Sequence, residues 1–356
     1  MEKKREVSKL KDISNILRRD ILKMTTAAGS GHPSSCLSCA EIISVLFFHE
    51  MKYDVKNPFN PDNDEFILSK GHAAPILYSA LYRANAIKYN LEDLRKLTSP
   101  LEGHPVPKTF KWAKIATGSL GQGLSAGVGM AIAAKIQKRK YKTFVLIGDS
   151  ESAEGSIYEA CELASYYKLN NLIAITDINK LGQRGETLLG YNIKEYEKKF
   201  AGFGWQTISI DGHNIQQIIS ALSQARKSNK PVMILAKTFK GKGVSILENK
   251  QNWHGKALNK EQLKTALQQI PDVKMPKIKI IPPKKINYKI KIKKIISKKY
   301  SSEEVSTRQA YGDALAELAK SNSNVLAIDA EVSNSTKADE IKKATPNQFI
   351  EAFIAE

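Results

Sequence analysis

The chain has 356 residues, 42% hydrophobic and 26% charged, enough apolar material for one large core and part of another. No apolar run reaches the length of a membrane span, and the N-terminal "MEKKREVSKLKD" has no apolar signal-like segment, so a cytoplasmic location and no membrane partner are expected. The net charge of +19 raises nucleic-acid binding, but residues 271–300 alone hold eleven lysines and one acid, match no nucleic-acid-binding motif, and read as a solvated interdomain linker with no nucleic-acid partner.

In chain order, residues 7–23 place Leu10, Ile13, Leu17 and Ile21 on one helical face. The break "AAGSGHPSS" precedes a second helical run from Cys36 to His49, and further helices are expected over 74–85 and 124–137. Cys36, Cys39 and Cys161 are too few for a disulfide framework, and the C-x-x-C lacks the second ligand pair of a zinc site, so packed side chains are expected. "TFVLIGD" (143–149) reads as a buried strand and "EGSIYEACELASYYKL" as a helix burying Ile157, Ala160, Cys161, Ala164 and Tyr167; "NLIAITDIN" (171–179) is a second buried strand. Strand, helix, strand at these lengths predicts a parallel βαβ unit. "TISIDGHN" and "VMILAKTFKGKG" add strands on either side of the helix "IQQIISALSQARK". The expected fold is a doubly wound α/β domain over 1–265, the Lys-rich linker over 266–304, and the start of a second α/β domain over 305–356.

Asp149 ends one strand of the βαβ unit and Asn179 the next, so both oxygen side chains emerge at the carboxyl edge of the sheet, where open α/β folds bind ligands. Such oxygens suit Mg²⁺ or Ca²⁺, and Mg²⁺ held by few protein groups usually shares its other positions with phosphates. The alternative for each is an ordinary strand-ending turn residue. Four of the six histidines, His32, His72, His104 and His254, sit in Gly- or Pro-rich contexts, which suggests a polar pocket able to transfer protons. His49 and His213 read as structural.

"TTAAGSGHPSSCLS", "FILSKGHAAPILY", "GHPVPK", "ATGSLGQGL", "GDSESAEGS", "DINKLGQ", "AKTFKGKGV", "WHGK" and "STRQAYG" together resemble the transketolase family, most closely its animal-type branch. The resemblance runs from residue 8 to 356. It implies a thiamine-diphosphate-dependent transferase that moves a two-carbon ketol unit from a ketose phosphate to an aldose phosphate in the pentose phosphate pathway. It further implies a homodimer with the site at the subunit interface.

Carried over by position, the resemblance gives the metal Asp149, Asn179 and the Leu181 carbonyl, with Ca²⁺ or Mn²⁺ as alternatives to Mg²⁺. It gives the cofactor Ser35, His72, Gly118, Ser119, Leu120, Asp149, Ser150, Asn179, Gln183, Lys240 and His254. The substrate receives His32, His254, Arg308 and Ser335, and catalysis receives Glu356, His32, His104 and His254. Glu356 would share a proton with the pyrimidine ring of the cofactor.

Two departures stand out: Ser150 replaces a glycine of the family's Gly-Asp-Gly, and Glu331 replaces a more usual aspartate. Family members are nearly twice this long, so a C-terminally truncated piece without activity of its own is expected. The competing readings are a catalytically inactive short relative that pairs with a full-length chain, and another ketol-transferring thiamine enzyme such as dihydroxyacetone synthase.

Overall fold

Five parallel strands form the sheet that positions every candidate residue of the N-terminal part. The computed structural model describes residues 2–295, 298–301 and 304–355, and the chain divides into two compact units, the second made mainly of the residues after 285. In the first unit, α1 (Glu2–Ala28) is followed by α2 (Pro33–Leu37), α3 (Ala40–Val45) and a π-helical turn over Leu46–Glu50. Then come β1 (Glu65–Leu68), α4 (Ala74–Arg83), α5 (Gln122–Ile136), β2 (Thr143–Gly148) and α6 (Gly155–Tyr166). The unit continues through β3 (Leu172–Ile178), α7 (Ile193–Gly202), β4 (Gln206–Asp211), α8 (Ile215–Lys227), β5 (Val232–Lys237) and α9 (Lys260–Gln269).

The strand order is β1-β2-β3-β5-β4, so β3 lies at the centre. Its pairing with β2 puts Gly148 opposite Asp177, which brings Asp149 and Asn179 out at one edge, as the βαβ reading expects. Alternation along the strands explains why they read as unbroken apolar runs. Phe144, Leu146, Ile173 and Ile175 face one core, while Val145, Ile147, Leu172 and Ala174 face the other. Helix α1 runs through the first of these, with Leu10, Ile13, Leu17 and Ile21 fully buried. Truncating Leu17 to Ala would cost about 2–5 kcal/mol.

The structure departs from the expected elements in places. The helical run from Cys36 to His49 is broken after Leu37: Ser38 keeps helical angles, but the backbone at Cys39 turns to φ −106° and ψ 17° before α3 begins. Strand β1 and helices α7 and α9 come from segments whose apolar runs are too short or too charged to stand out. Residue 265 lies inside α9, and Arg19 donates to the carbonyls of Leu267 and Ile270.

The first half of the Lys-rich stretch is bound to its unit. Its lysines are exposed, but Met275, Ile278 and Ile280 pack against the α1 core, and the Ile281 carbonyl accepts from the Tyr53 amide. The period-2 "KIKI" pattern is what an extended segment with one packed side requires.

In the second unit, α10 (Thr307–Ser321) precedes β6 (Ala327–Asp329), α11 (Ser333–Thr336), α12 (Asp339–Ala344) and β7 (Phe349–Glu351). Strands β6 and β7 pair in parallel, and Ala319, Ile341 and Phe349 form a small core. Gln348 closes it by donating to the carbonyls of Ala319, Asn322 and Val325. No helix among the described residues is long and apolar enough to cross a membrane.

Candidate active site

A cleft opens at the carboxyl edge of β2 and β3. Its lining includes Ser35, His72, Leu120, Asp149, Ser150, Asn179, Leu181, Gln183, Lys240 and His254. These residues lie as far apart in sequence as 35 and 254, and the parallel sheet brings their loops to one side.

Asp149 is nearly buried, yet it has no ion-pair partner among the described residues. Its Oδ2 accepts from the backbone N–H groups of Asn179 at 2.9 Å and Lys180 at 2.6 Å. Burial, followed by the charge of Asp177, pushes its carboxyl up to about 6. The Asn179 Oδ1 accepts from the Leu181 amide at 3.2 Å, which holds two of the three proposed metal donors in one turn of chain, and the hydrogen bond from the Asn179 backbone amide to Asp149 brings the third beside them. Lys240 Nζ donates to the carbonyls of Leu181 (2.7 Å) and Gly182 (3.1 Å) and lies 2.9 Å from His254 Nδ1. Burial, then the nearby Lys70 ammonium, lowers Lys240 to about 8.

Three histidine rings meet at the cleft. The His32 centroid lies 5.1 Å from that of His72 and 5.0 Å from that of His254, and the last two are 5.3 Å apart. Burial and then Arg95 lower His32 to about 4, and burial and then Lys240 lower His254 to about 3. His72 is also lowered, by burial and then by Lys70. All three are therefore held towards the neutral form, in which a ring nitrogen can accept a hydrogen bond. The His32 Nδ1 is buried without a hydrogen-bond partner.

His104 faces the Gly118 loop. A Cβ on Gly118 would stand 2.7 Å from the His104 ring, and its φ of +138° is one that side chains rarely adopt. Ser119 lies exposed on the same loop. Ser150, which replaces the family glycine, has φ −61° and ψ −40°, an ordinary helical conformation that any residue accepts.

The fit to an anionic group with a divalent cation rests on these features. The buried Asp149 lacks a counter-ion, Lys240 and Lys70 supply positive charge, and Gly118 leaves room where a side chain would intrude. Among the described residues no group of three His, Cys, Asp or Glu side chains is arranged to hold a metal ion. The proposed set has a single carboxylate, with an amide and a carbonyl as its other donors.

The remaining predicted residues lie elsewhere. Arg308, at the start of α10, and Ser335, in α11, are exposed on the second unit. Glu331, with φ +142°, precedes α11. Glu356 lies outside the described residues.

Of the residues left as structural, His213 links its Nδ1 to Glu41 (3.0 Å) and accepts the Phe239 amide at Nε2 (2.8 Å). His49 pairs with Glu6. The cysteines are buried and free, and burial pushes the Cys39 thiol up to about 12.

Sequence reasoning missed Lys70, Asp177 and Glu151. Glu151 is buried and accepts from the Ser69 hydroxyl and from the amides of Gly121 and Gly148 at 2.9 Å, tying the loop of Gly118 to the strand end. Asp177 carried a legible signal, because a carboxylate inside a run read as a buried strand needs a buried partner. That partner is Lys70.

Residues 9–340 match the family model described as transketolase, thiamine diphosphate binding domain. The chain is 45% identical to the transketolase of Homo sapiens over 355 residues, covering 98% of this chain and 56% of that relative. It is 44% identical to transketolase-like protein 2 of Mus musculus, covering 57% of it. The crystal structure of a transketolase from Campylobacter jejuni superposes with a TM-score of 0.84 at 31% identity, over 98% of this chain and 61% of that one. The chain thus spans little more than half the length of the curated relatives it matches.

Proposed function

The chain belongs to the transketolase family through its thiamine diphosphate-binding domain, and from that premise we propose that its cleft holds thiamine diphosphate through a divalent cation for ketol transfer between sugar phosphates. The observation that carries this reading is the buried Asp149 without a counter-ion, at the strand edge beside Asn179 and the Leu181 carbonyl. These three would hold Mg²⁺, which would bridge to the diphosphate. Bound there, the cofactor supplies a thiazolium carbon that acts as nucleophile and a ring that stores the resulting electron pair.

The chain's own contribution is placement and proton handling. Lys240 would balance anionic charge, and the backbone of Gly118, Ser119 and Leu120 would lie along the cofactor, with Ser35, Ser150 and Gln183 around it. His32 and His254 would hold substrate hydroxyls and assist proton transfer, His72 would face the cofactor, and His104 would assist from beside the Gly118 loop. Arg308 and Ser335 would grip the sugar phosphate, and Glu356 would share a proton with the pyrimidine. A second copy of the chain would complete the site. The exposed side of α5 supports such docking, since Ala126, Met130 and Ala133 are only half-buried there and Gly129 has open space at its Cβ position.

Calorimetric titration with thiamine diphosphate tests the reading, coupled to an assay of ketol transfer from a ketose phosphate to an aldose phosphate. The expected result is saturable binding that EDTA abolishes. Binding indifferent to EDTA would overturn the metal, and no binding would overturn the site.

A further inference from the structure

Asp177 belongs to none of the donor sets above, yet four of the segments that build the cleft are tied to it. It ends the central strand β3 one residue before Ile178 and is fully buried. Its Oδ2 accepts from the Ser38 hydroxyl at 2.6 Å, from Lys70 Nζ, and from Asn179 Nδ2 at 3.4 Å. Its Oδ1 accepts from the Thr238 hydroxyl.

Each donor comes from a segment that presents a cleft residue. Ser38 follows the helix of Ser35, Lys70 lies two residues before His72, and Thr238 lies two before Lys240. Asn179 is itself a proposed metal donor. Lys70 also donates to the Ser35 carbonyl at 2.9 Å.

Burial alone would raise the Asp177 carboxyl, but Lys70 and the hydroxyl donors outweigh it and hold it below its ordinary value. Stability does not require this arrangement, since apolar side chains of similar volume often replace a buried ion pair without loss. Direction is what the carboxylate adds. It draws the Asn179 nitrogen inward, leaving Oδ1 on the side of the Leu181 amide, and fixes three other loops to the same point.

We propose that Asp177 is a positioning residue for metal-dependent cofactor binding, setting the register of four of the segments that form the cleft and the orientation of the Asn179 amide. The proposal rests on reading the cleft as a metal–diphosphate site. Such residues behind metal ligands typically control affinity by about 10–100-fold.

The test measures thiamine diphosphate affinity and the Mg²⁺ concentration at half-saturation, together with urea unfolding, on the full chain in its native assembly. The double variant Lys70→Met/Asp177→Leu replaces the ion pair by apolar groups. It should stay folded at a lowered urea midpoint, since the Ser38 and Thr238 hydroxyls lose their acceptor, yet bind the cofactor about 10–100-fold more weakly, with its Mg²⁺ requirement raised in step. The near-isosteric Thr238→Val removes one tether and should weaken binding about threefold, the scale of a single hydrogen bond, with a slightly lowered urea midpoint. If the double variant does not fold, Thr238→Val decides by itself. Wild-type affinity and Mg²⁺ dependence in a folded variant would overturn the role of Asp177 alone. A wild-type chain that fails to bind would overturn the site, and this role with it.

Discussion

Lysine occurs in two opposite settings in this chain. Lys70 and Lys240 are 1% and 3% exposed in the cleft. Lys70 is held by Asp177, while Lys240 makes only neutral contacts with carbonyls and a histidine. In residues 271–300 eleven lysines account for more than half of the net charge, and those among the described residues stand exposed while their apolar neighbours Met275, Ile278 and Ile280 do the packing. Formal charge is concentrated where it does little, because water screens an exposed ammonium. Two buried lysines act strongly in the cleft, where few solvent dipoles oppose them, and both add to burial in lowering the neighbouring His32, His72 and His254. The lesson is that burial, not count, converts charge into chemistry.

The comparison can be broken most decisively at Lys70. Lys70→Met leaves the Asp177 charge buried without its cation and should destabilise the fold by about 3–5 kcal/mol in urea unfolding. Next in size, Asp149→Asn should weaken Mg²⁺-dependent thiamine diphosphate binding about 100-fold by calorimetry, for loss of the one carboxylate in the donor set. Its fold should be retained, since the ionised carboxylate is disfavoured where it lies.

The buried Glu41 sharpens the same point with the opposite sign of charge. Burial would raise it, but Arg18 and His213 outweigh burial and lower it to about 2, against 4.5 unfolded. The unfolded state therefore binds the proton first, and stability present above pH 4.5 is lost as pH falls towards 2, by about 3 kcal/mol. Urea midpoints at pH 7 and pH 3 measure it, and Glu41→Gln should flatten the difference. A smaller effect is expected at Gly118→Ala, where the left-handed backbone and the His104 ring both oppose a Cβ. That variant should lose about 1–2 kcal/mol of stability and bind cofactor more weakly. Least of all, Lys277→Met and Lys279→Met should move stability by less than about 0.5 kcal/mol. A larger loss would show that the exposed lysines are not mere solvated charge.

How much was legible beforehand differs by residue. Asp149 and Asn179 could be read because a βαβ unit puts the ends of adjacent parallel strands at one edge, whatever the rest of the chain does. The helix of Leu10, Ile13, Leu17 and Ile21 could be read because its period is local. The loop histidines were visible as a set, and their motifs carried the family. That His32, His72 and His254 stand about 5 Å apart was not visible, because their loops are joined only through the folded sheet.

Sequence by itself therefore determined the fold class, the family and the strand-edge positions of Asp149 and Asn179, all of which depend on local periodicity and short motifs. Tertiary structure alone decided the clustering and burial of the three cleft histidines, the backbone that makes Ser150 acceptable, and the buried contacts of Asp177. Each of those depends on burial and on partners brought from distant segments. Hydrogen-bond geometry and desolvation act through space, and no spacing along the chain encodes them.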